Sequence, residues 1–112
     1  MARYSAAPSE VSAAISRRFF AAVAQLVAAG AVSSLSGLCD AHGLSSPRYR
    51  ELRLLYGVNA DAAVGGSRCR YKAVELDALA VLVREYGVSA EWLLCGSGSL
   101  YVKTPKTPAD EM

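Results

Sequence analysis

Glycines end a series of short segments in this chain, and the apolar residues within each segment recur at helical spacing. In the first segment Ile15, Phe19 and Val23 stand four residues apart, and Gly30 follows them. Apolar residues every three or four positions predict one face of a helix, and a glycine just beyond is a common helix end. Short helices bury their apolar faces only against one another, so the pattern predicts a helical bundle.

This pattern predicts five helices and therefore an all-α fold. They cover approximately residues 10–29, 35–42, 46–57 and 74–86, with a short fifth helix that contains residues 91–93. Serines capable of capping free amide groups stand at three starts, at Ser33 or Ser34, at Ser46 and at Ser89. Alanine accounts for 20 of the 112 residues, which favours helices over strands.

The length of 112 residues predicts one domain with a core of modest size. We place this domain at residues 10–101, between an N-terminal tail at 1–9 and a flexible C-terminal tail at 102–112. Within the domain, glycine, asparagine and serine between residues 58 and 72 predict a loop that is long for so small a protein.

The inventory of reactive side chains argues against an enzyme. The chain has one histidine, and neither a phosphate-binding glycine loop nor a nucleophilic serine elbow stands in it. Cys39, Cys69 and Cys95 lie far apart, so they predict free thiols in a reducing cytosol rather than disulfides or zinc ligands. We therefore expect no catalytic residue, no metal and no cofactor.

Two consecutive predicted helices, between residues 35 and 54, meet at a sharp turn. Gly43 supplies the left-handed backbone that such a turn needs. Leu38 and Leu44 lie on either side of it and are expected to bury the elbow, while Tyr49 and Leu52 anchor the second helix to the same core.

Two segments carry a resemblance to a known family. Residues 34–52 (SLSGLCDAHGLSSPRYREL) resemble the helix-turn-helix of phage-repressor and Cro-like regulators, and residues 85–98 (EYGVSAEWLLCGSG) resemble the end of such domains. The resemblance covers about residues 15–101. Two features depart from the family pattern: His42 stands where an apolar side chain is usual, and the loop at 58–72 is longer than the usual connection.

The resemblance implies a five-helix, lambda-repressor-like domain that binds double-stranded DNA sequence-specifically and regulates transcription as a repressor does. The helix near 46–56 would read the major groove. Because one short helix reads few base pairs, we expect a homodimer. The expected location is the cytoplasm, and we expect no small-molecule ligand. We also expect no membrane association, since no run of about 18 apolar residues is present.

Charge is distributed unevenly along the chain. Residues 43–72 hold six basic and two acidic side chains, while the rest hold six basic and eight acidic ones, so a net charge of +4 opposes −2. Phosphate-binding surfaces have this basic character. The predicted DNA-binding residues, beside the turn glycine Gly43, are Ser45, Ser46, Arg48, Arg50, Arg53, Arg68, Arg70 and Lys72.

The residue types suggest different roles. Ser45 or Ser46 would donate to a phosphate or a base edge, and Arg50 would make a bidentate contact to guanine. Arg48 and Arg53 would bind phosphates, as would the basic residues of the loop. The plain alternative is that these arginines are solvated surface charges.

Two other functions compete with DNA binding. The same fold could serve as an adaptor that binds a protein. A less favoured alternative is export, because Arg17 and Arg18 precede an apolar stretch and small residues at 29–31, as in a twin-arginine signal. Helical spacing in that stretch instead favours an amphipathic helix that the remaining chain needs.

The loop arginines provide the first test. We expect Arg68→Ala and Arg70→Ala to weaken binding to duplexes of every sequence alike, because phosphate contacts carry no sequence information. Each variant should also reduce the salt slope of the binding constant by about one. Titration of labelled duplex DNA over a series of salt concentrations measures both effects. Affinity that does not depend on salt would contradict the phosphate assignment.

Overall fold

The structure, a computed structural model, describes residues 10–57 and 73–101. The described residues form five helices and no named strand, which confirms the all-α prediction. The helices are α1 Glu10–Ala28, α2 Leu35–His42, α3 Ser46–Tyr56, α4 Leu76–Tyr86 and α5 Ala90–Cys95. Both predicted tails and the predicted loop at 58–72 lie outside the described residues.

Serine caps set the starts of three helices. The side chains of Ser34, Ser45 and Ser89 each accept a hydrogen bond from the backbone amide three residues further on, at 3.0, 3.3 and 3.1 Å. The predicted cap Ser46 is wrong by one residue, because Ser45 caps α3 and Ser46 is its first helical residue, followed by Pro47. Proline is tolerated there because the first-turn amides have no partner within the helix.

The predicted start of α4 is wrong by two residues, because tertiary contacts hold the chain extended before Leu76. The Val74 amide donates to the Ser16 hydroxyl at 3.1 Å, and the Glu75 amide donates to the Tyr49 hydroxyl at 3.1 Å. These two bonds give the amides of Val74 and Glu75 partners outside the helix. The chain therefore stays extended at both residues, and α4 begins at Leu76. The bond from Val74 also gives the buried Ser16 side chain a partner.

The core lies where α1 meets the other helices. Phe19, Val23 and Leu26 of α1 are buried, and the ring of Phe19 lies 5.6 Å from that of Tyr49 in α3. Leu93 of α5 is also buried, whereas Trp92 is only partly so. Leu94 is 47% exposed, because the short helix turns that side outward.

The elbow between α2 and α3 has the predicted form. Gly43 has φ 71° and ψ 24°, and the Leu44 amide donates to the Cys39 carbonyl at 2.9 Å. This bond satisfies one of the last carbonyls of α2. Leu38, Tyr49 and Leu52 are buried, and Leu44 is partly buried against them.

Arg18 joins α1 to the end of α5. Its Nε donates to the Leu93 carbonyl at 2.8 Å, and its Nη2 donates to the Leu94 carbonyl at 3.1 Å. A cation at a helix carboxyl end also interacts favourably with the negative end of the helix dipole.

By length and composition alone, α1 is apolar enough to cross a membrane. Buried core helices and amino-terminal signals meet the same criterion.

The left-handed turn supports a stability prediction. We expect Gly43→Ala to lower the free energy of unfolding by about 1–2 kcal/mol, because a β-carbon disfavours positive φ. Space is not the cause, since a β-carbon there would meet no atom within 4 Å. Gly43→Asn is the matched control and should cost less, because asparagine adopts this conformation more readily. Urea unfolding measures both, and equal losses would contradict the explanation.

Candidate nucleic-acid interface

Helix α3 buries one face and exposes the opposite one. Tyr49, Leu52 and Tyr56 recur at three- and four-residue spacing and are buried in the core. Helical geometry then turns the intervening residues outward. The exposed face of α3 consists of Pro47, Arg50, Arg53 and Leu54. Burial of the apolar side of α3 therefore presents two of the predicted DNA-binding arginines to solvent.

The amino-terminal ends of α2 and α3 meet beside this exposed face. The Ser46 hydroxyl donates to the Ser36 hydroxyl at 3.2 Å, which joins the first turns of the two helices. The predicted donor Ser46 is thus engaged with Ser36, and the Ser45 oxygen accepts from the Arg48 amide. Helix amino ends carry partial positive charge, so their proximity favours an anion at this end.

Arg48 points to the flank of α3 that adjoins the start of α4. Its Nη1 lies 3.8 Å from Oε2 of Glu75, and the two side chains are 31% and 43% exposed. An ion pair this accessible to water stabilises the fold by about 0–1 kcal/mol. The predicted phosphate ligand Arg48 therefore already faces a carboxylate within the protein.

Tyr49 holds that carboxylate in place. Its hydroxyl donates to Oε1 of Glu75 at 3.1 Å and accepts the Glu75 amide hydrogen at 3.1 Å. Burial raises the pKa of the Tyr49 phenol well above its ordinary value of 10.0, and the charge of Glu75 adds to the shift. A phenol is neutral at physiological pH even at its ordinary pKa, and the raised pKa keeps it able to donate in more alkaline solution.

Glu75 is the site residue that the sequence prediction missed. Glu75 lies outside the basic stretch 43–72. The charge count included it only as one of the eight acidic residues in the rest of the chain. Its one local signal is its place in the first turn of the predicted helix at 74–86, where a carboxylate suits the positive end of the helix dipole. Glu75 makes no side-chain cap hydrogen bond, because its carboxylate faces Tyr49 and Arg48 instead.

His42, the departure from the family pattern, has a polar partner. Its Nε2 lies 2.9 Å from the Tyr86 hydroxyl, and the two rings meet edge to face at 5.6 Å. A half-buried imidazole is accommodated there because the tyrosine supplies a hydrogen bond at the end of α4. Among the described residues, no three His, Cys, Asp or Glu side chains form a group that could hold a metal ion.

Five of the eight predicted DNA-binding residues lie at one end or along one side of α3, with the turn glycine before it. Ser45 and Ser46 begin the helix, Arg50 and Arg53 are on its exposed face, and Arg48 is on its flank. Arg68, Arg70 and Lys72 lie outside the described residues. Comparison with protein-family models, curated proteins and solved structures finds no match for this chain.

The Tyr49 hydroxyl supports a prediction about stability and pH. We expect Tyr49→Phe to lower the free energy of unfolding at neutral pH by about 1–3 kcal/mol, because it removes both bonds to Glu75. The raised pKa means that the folded state keeps its proton above pH 10.0, where the unfolded phenol loses it. This contribution to stability is full below that pH and declines above it.

Urea unfolding of both proteins between pH 7 and pH 11 measures the effect. The stability difference between wild type and Tyr49→Phe should shrink as pH rises above about 10. Tyr101→Phe is the control, since Tyr101 is exposed. A difference that stays constant with pH would contradict the burial of an ionisable phenol at this contact.

Proposed function

We propose that this protein is a repressor-like, helix-turn-helix transcriptional regulator that binds double-stranded DNA in a sequence-specific way. One observation supports this above the others: α3 exposes Arg50 and Arg53 opposite its buried face, beside the joined amino ends of α2 and α3. A helix that presents its amino end and a basic face has the form needed to enter the major groove.

In this proposal α3 is the recognition helix. Arg50, one turn beyond the amino end, makes the bidentate contact to O6 and N7 of guanine that arginine favours. Arg53, the Ser45 hydroxyl and the joined amino ends of α2 and α3 bind phosphates and set the register of the helix on the duplex. Phosphate binding of this kind releases counterions, so affinity should fall steeply with salt.

The proposed mechanism is occupancy of DNA, with no covalent chemistry. One helix of 11 residues contacts few base pairs, so two copies bound as a homodimer would supply the needed site length. The centres of their half-sites would lie about 34 Å apart, one turn of the duplex. Action on chromosomal or phage DNA would place the protein in the cytoplasm.

A protein-binding adaptor is the second candidate, and exposed apolar residues favour it. Leu54 on the exposed face of α3 is 54% exposed, and Leu76 at the start of α4 is 79% exposed. Exposed leucines are usual at protein contacts, although an apolar side chain on α3 also suits the methyl group of thymine. An adaptor would bind its partner equally well after loss of Arg50.

Export after cleavage near residues 29–31 is less favoured on physical grounds. It would remove α1, which contributes Phe19, Val23 and Leu26 to the core, and with it the Arg18 bonds to α5. Identification of the amino terminus of the native protein tests this alternative directly.

Selection of bound sites from random duplexes, with wild type and Arg50→Ala in parallel, tests the DNA-binding proposal. Wild type should enrich one palindromic site, whose symmetry would indicate a dimer. Arg50→Ala should lose preference at one guanine per half-site, at a cost of about 1–3 kcal/mol against the wrong base. The remaining positions should keep their preference.

Arg17→Ala is the matched control, since it removes the same charge from an exposed position of α1. It should leave the selected site unchanged. If wild type enriches no sequence and shows no salt-dependent affinity for duplex DNA, the proposal is wrong. If Arg17→Ala and Arg50→Ala alter the selected site alike, Arg50 does not read a base.

A further inference from the structure

Glu75 places a carboxylate beside a predicted phosphate ligand. Its Oε1 accepts from the buried Tyr49 hydroxyl at 3.1 Å, so one oxygen of the carboxylate is held by the core. The other oxygen, Oε2, faces Nη1 of Arg48 at 3.8 Å. Tyr49 of α3 therefore orients the side chain of Glu75, the residue just before α4. The second carboxylate oxygen of Glu75 then faces Arg48, which lies on the same helix α3.

This arrangement resembles a phosphate contact in its chemistry. A guanidinium binds a carboxylate and a phosphate through the same N–H donors. At 3.8 Å the contact between Arg48 and Glu75 is an ion pair without a hydrogen bond, so Glu75 competes by attracting the guanidinium toward its own charge. A phosphate that arrives at the α3 flank must therefore compete with Glu75, and the fixed negative charge of Glu75 also repels it.

We infer that Glu75 is an intramolecular competitor of DNA phosphate for Arg48, and that it lowers the affinity of this surface for duplex DNA of any sequence. The inference rests on the proposed DNA-binding function. Glu75 is a positioning residue in this role, since it acts through Arg48. Its anchoring by Tyr49 keeps the carboxylate at the flank instead of letting it move into solvent.

The experiment measures binding of the full chain to a mixed-sequence duplex over a series of salt concentrations, for wild type and Glu75→Gln. Glutamine keeps an oxygen that accepts from Tyr49, so the fold-holding bond persists while the charge is lost. Glu75→Gln should bind about two- to fivefold more tightly at low salt, within the range of an exposed ion pair. The magnitude of its salt slope should rise by up to about one.

Two further variants separate competition from general charge and from folding. Asp77→Asn removes a charge of the same sign two residues away on α4 and should give a smaller gain. In an Arg48→Gln background, Glu75→Gln should raise the affinity for duplex DNA no more than Asp77→Asn does. The reason is that the guanidinium for which Glu75 and phosphate compete is then absent. Thermal unfolding of each variant without DNA reports whether the fold persists.

The outcomes distinguish this inference from the proposed function. If wild type binds duplex DNA but folded Glu75→Gln gains no more than Asp77→Asn, the competition is refuted and DNA binding stands. Weaker binding by Glu75→Gln would refute it too, because Glu75 would then be supporting the binding surface. A gain larger than that of Asp77→Asn that persists in the Arg48→Gln background also overturns it. If wild type shows no duplex binding, both the function and the inference fail.

Discussion

The buried side chain of Tyr49 is the contact on which the rest of the structure depends. Its ring packs 5.6 Å from that of Phe19, so it fixes α3 against the central helix α1. Its hydroxyl bonds both the amide and the carboxylate of Glu75 at 3.1 Å, so it also fixes the point at which α4 begins. One side chain thus sets the positions of three helices. Its neutral, protonated state is favoured by the same burial that makes it part of the core.

The surface of α3 follows from this packing. Once Tyr49, Leu52 and Tyr56 are turned inward, helical geometry leaves Arg50 and Arg53 on the outside. The hydrogen bond between Ser36 and Ser46 then brings the positive amino ends of two helices together near these side chains. The core and the candidate DNA-binding surface are two sides of one helix, so a substitution that shifts its buried side also shifts the arginines.

Most of the architecture could be predicted because its signals are local. The caps at Ser34 and Ser89 act over three residues, and the left-handed turn at Gly43 closes a bond to Cys39 four residues earlier. The cap of α3 was predicted one residue late, and the larger error occurred where distant groups intervene. The start of α4 was displaced by bonds from Ser16 and Tyr49, which lie 58 and 26 residues away in the chain.

The candidate site shows the same division. Residue type and spacing indicated that Ser45, Ser46, Arg50 and Arg53 belong together on one helix, because a helix places residues by their separation along the chain. The position of Glu75 against Arg48 was decided by tertiary packing alone. No local rule links residues so far apart, since the contact arises from two helices that meet through the core. Chain-local forces therefore shape each helix, while burial across helices decides which charges face one another.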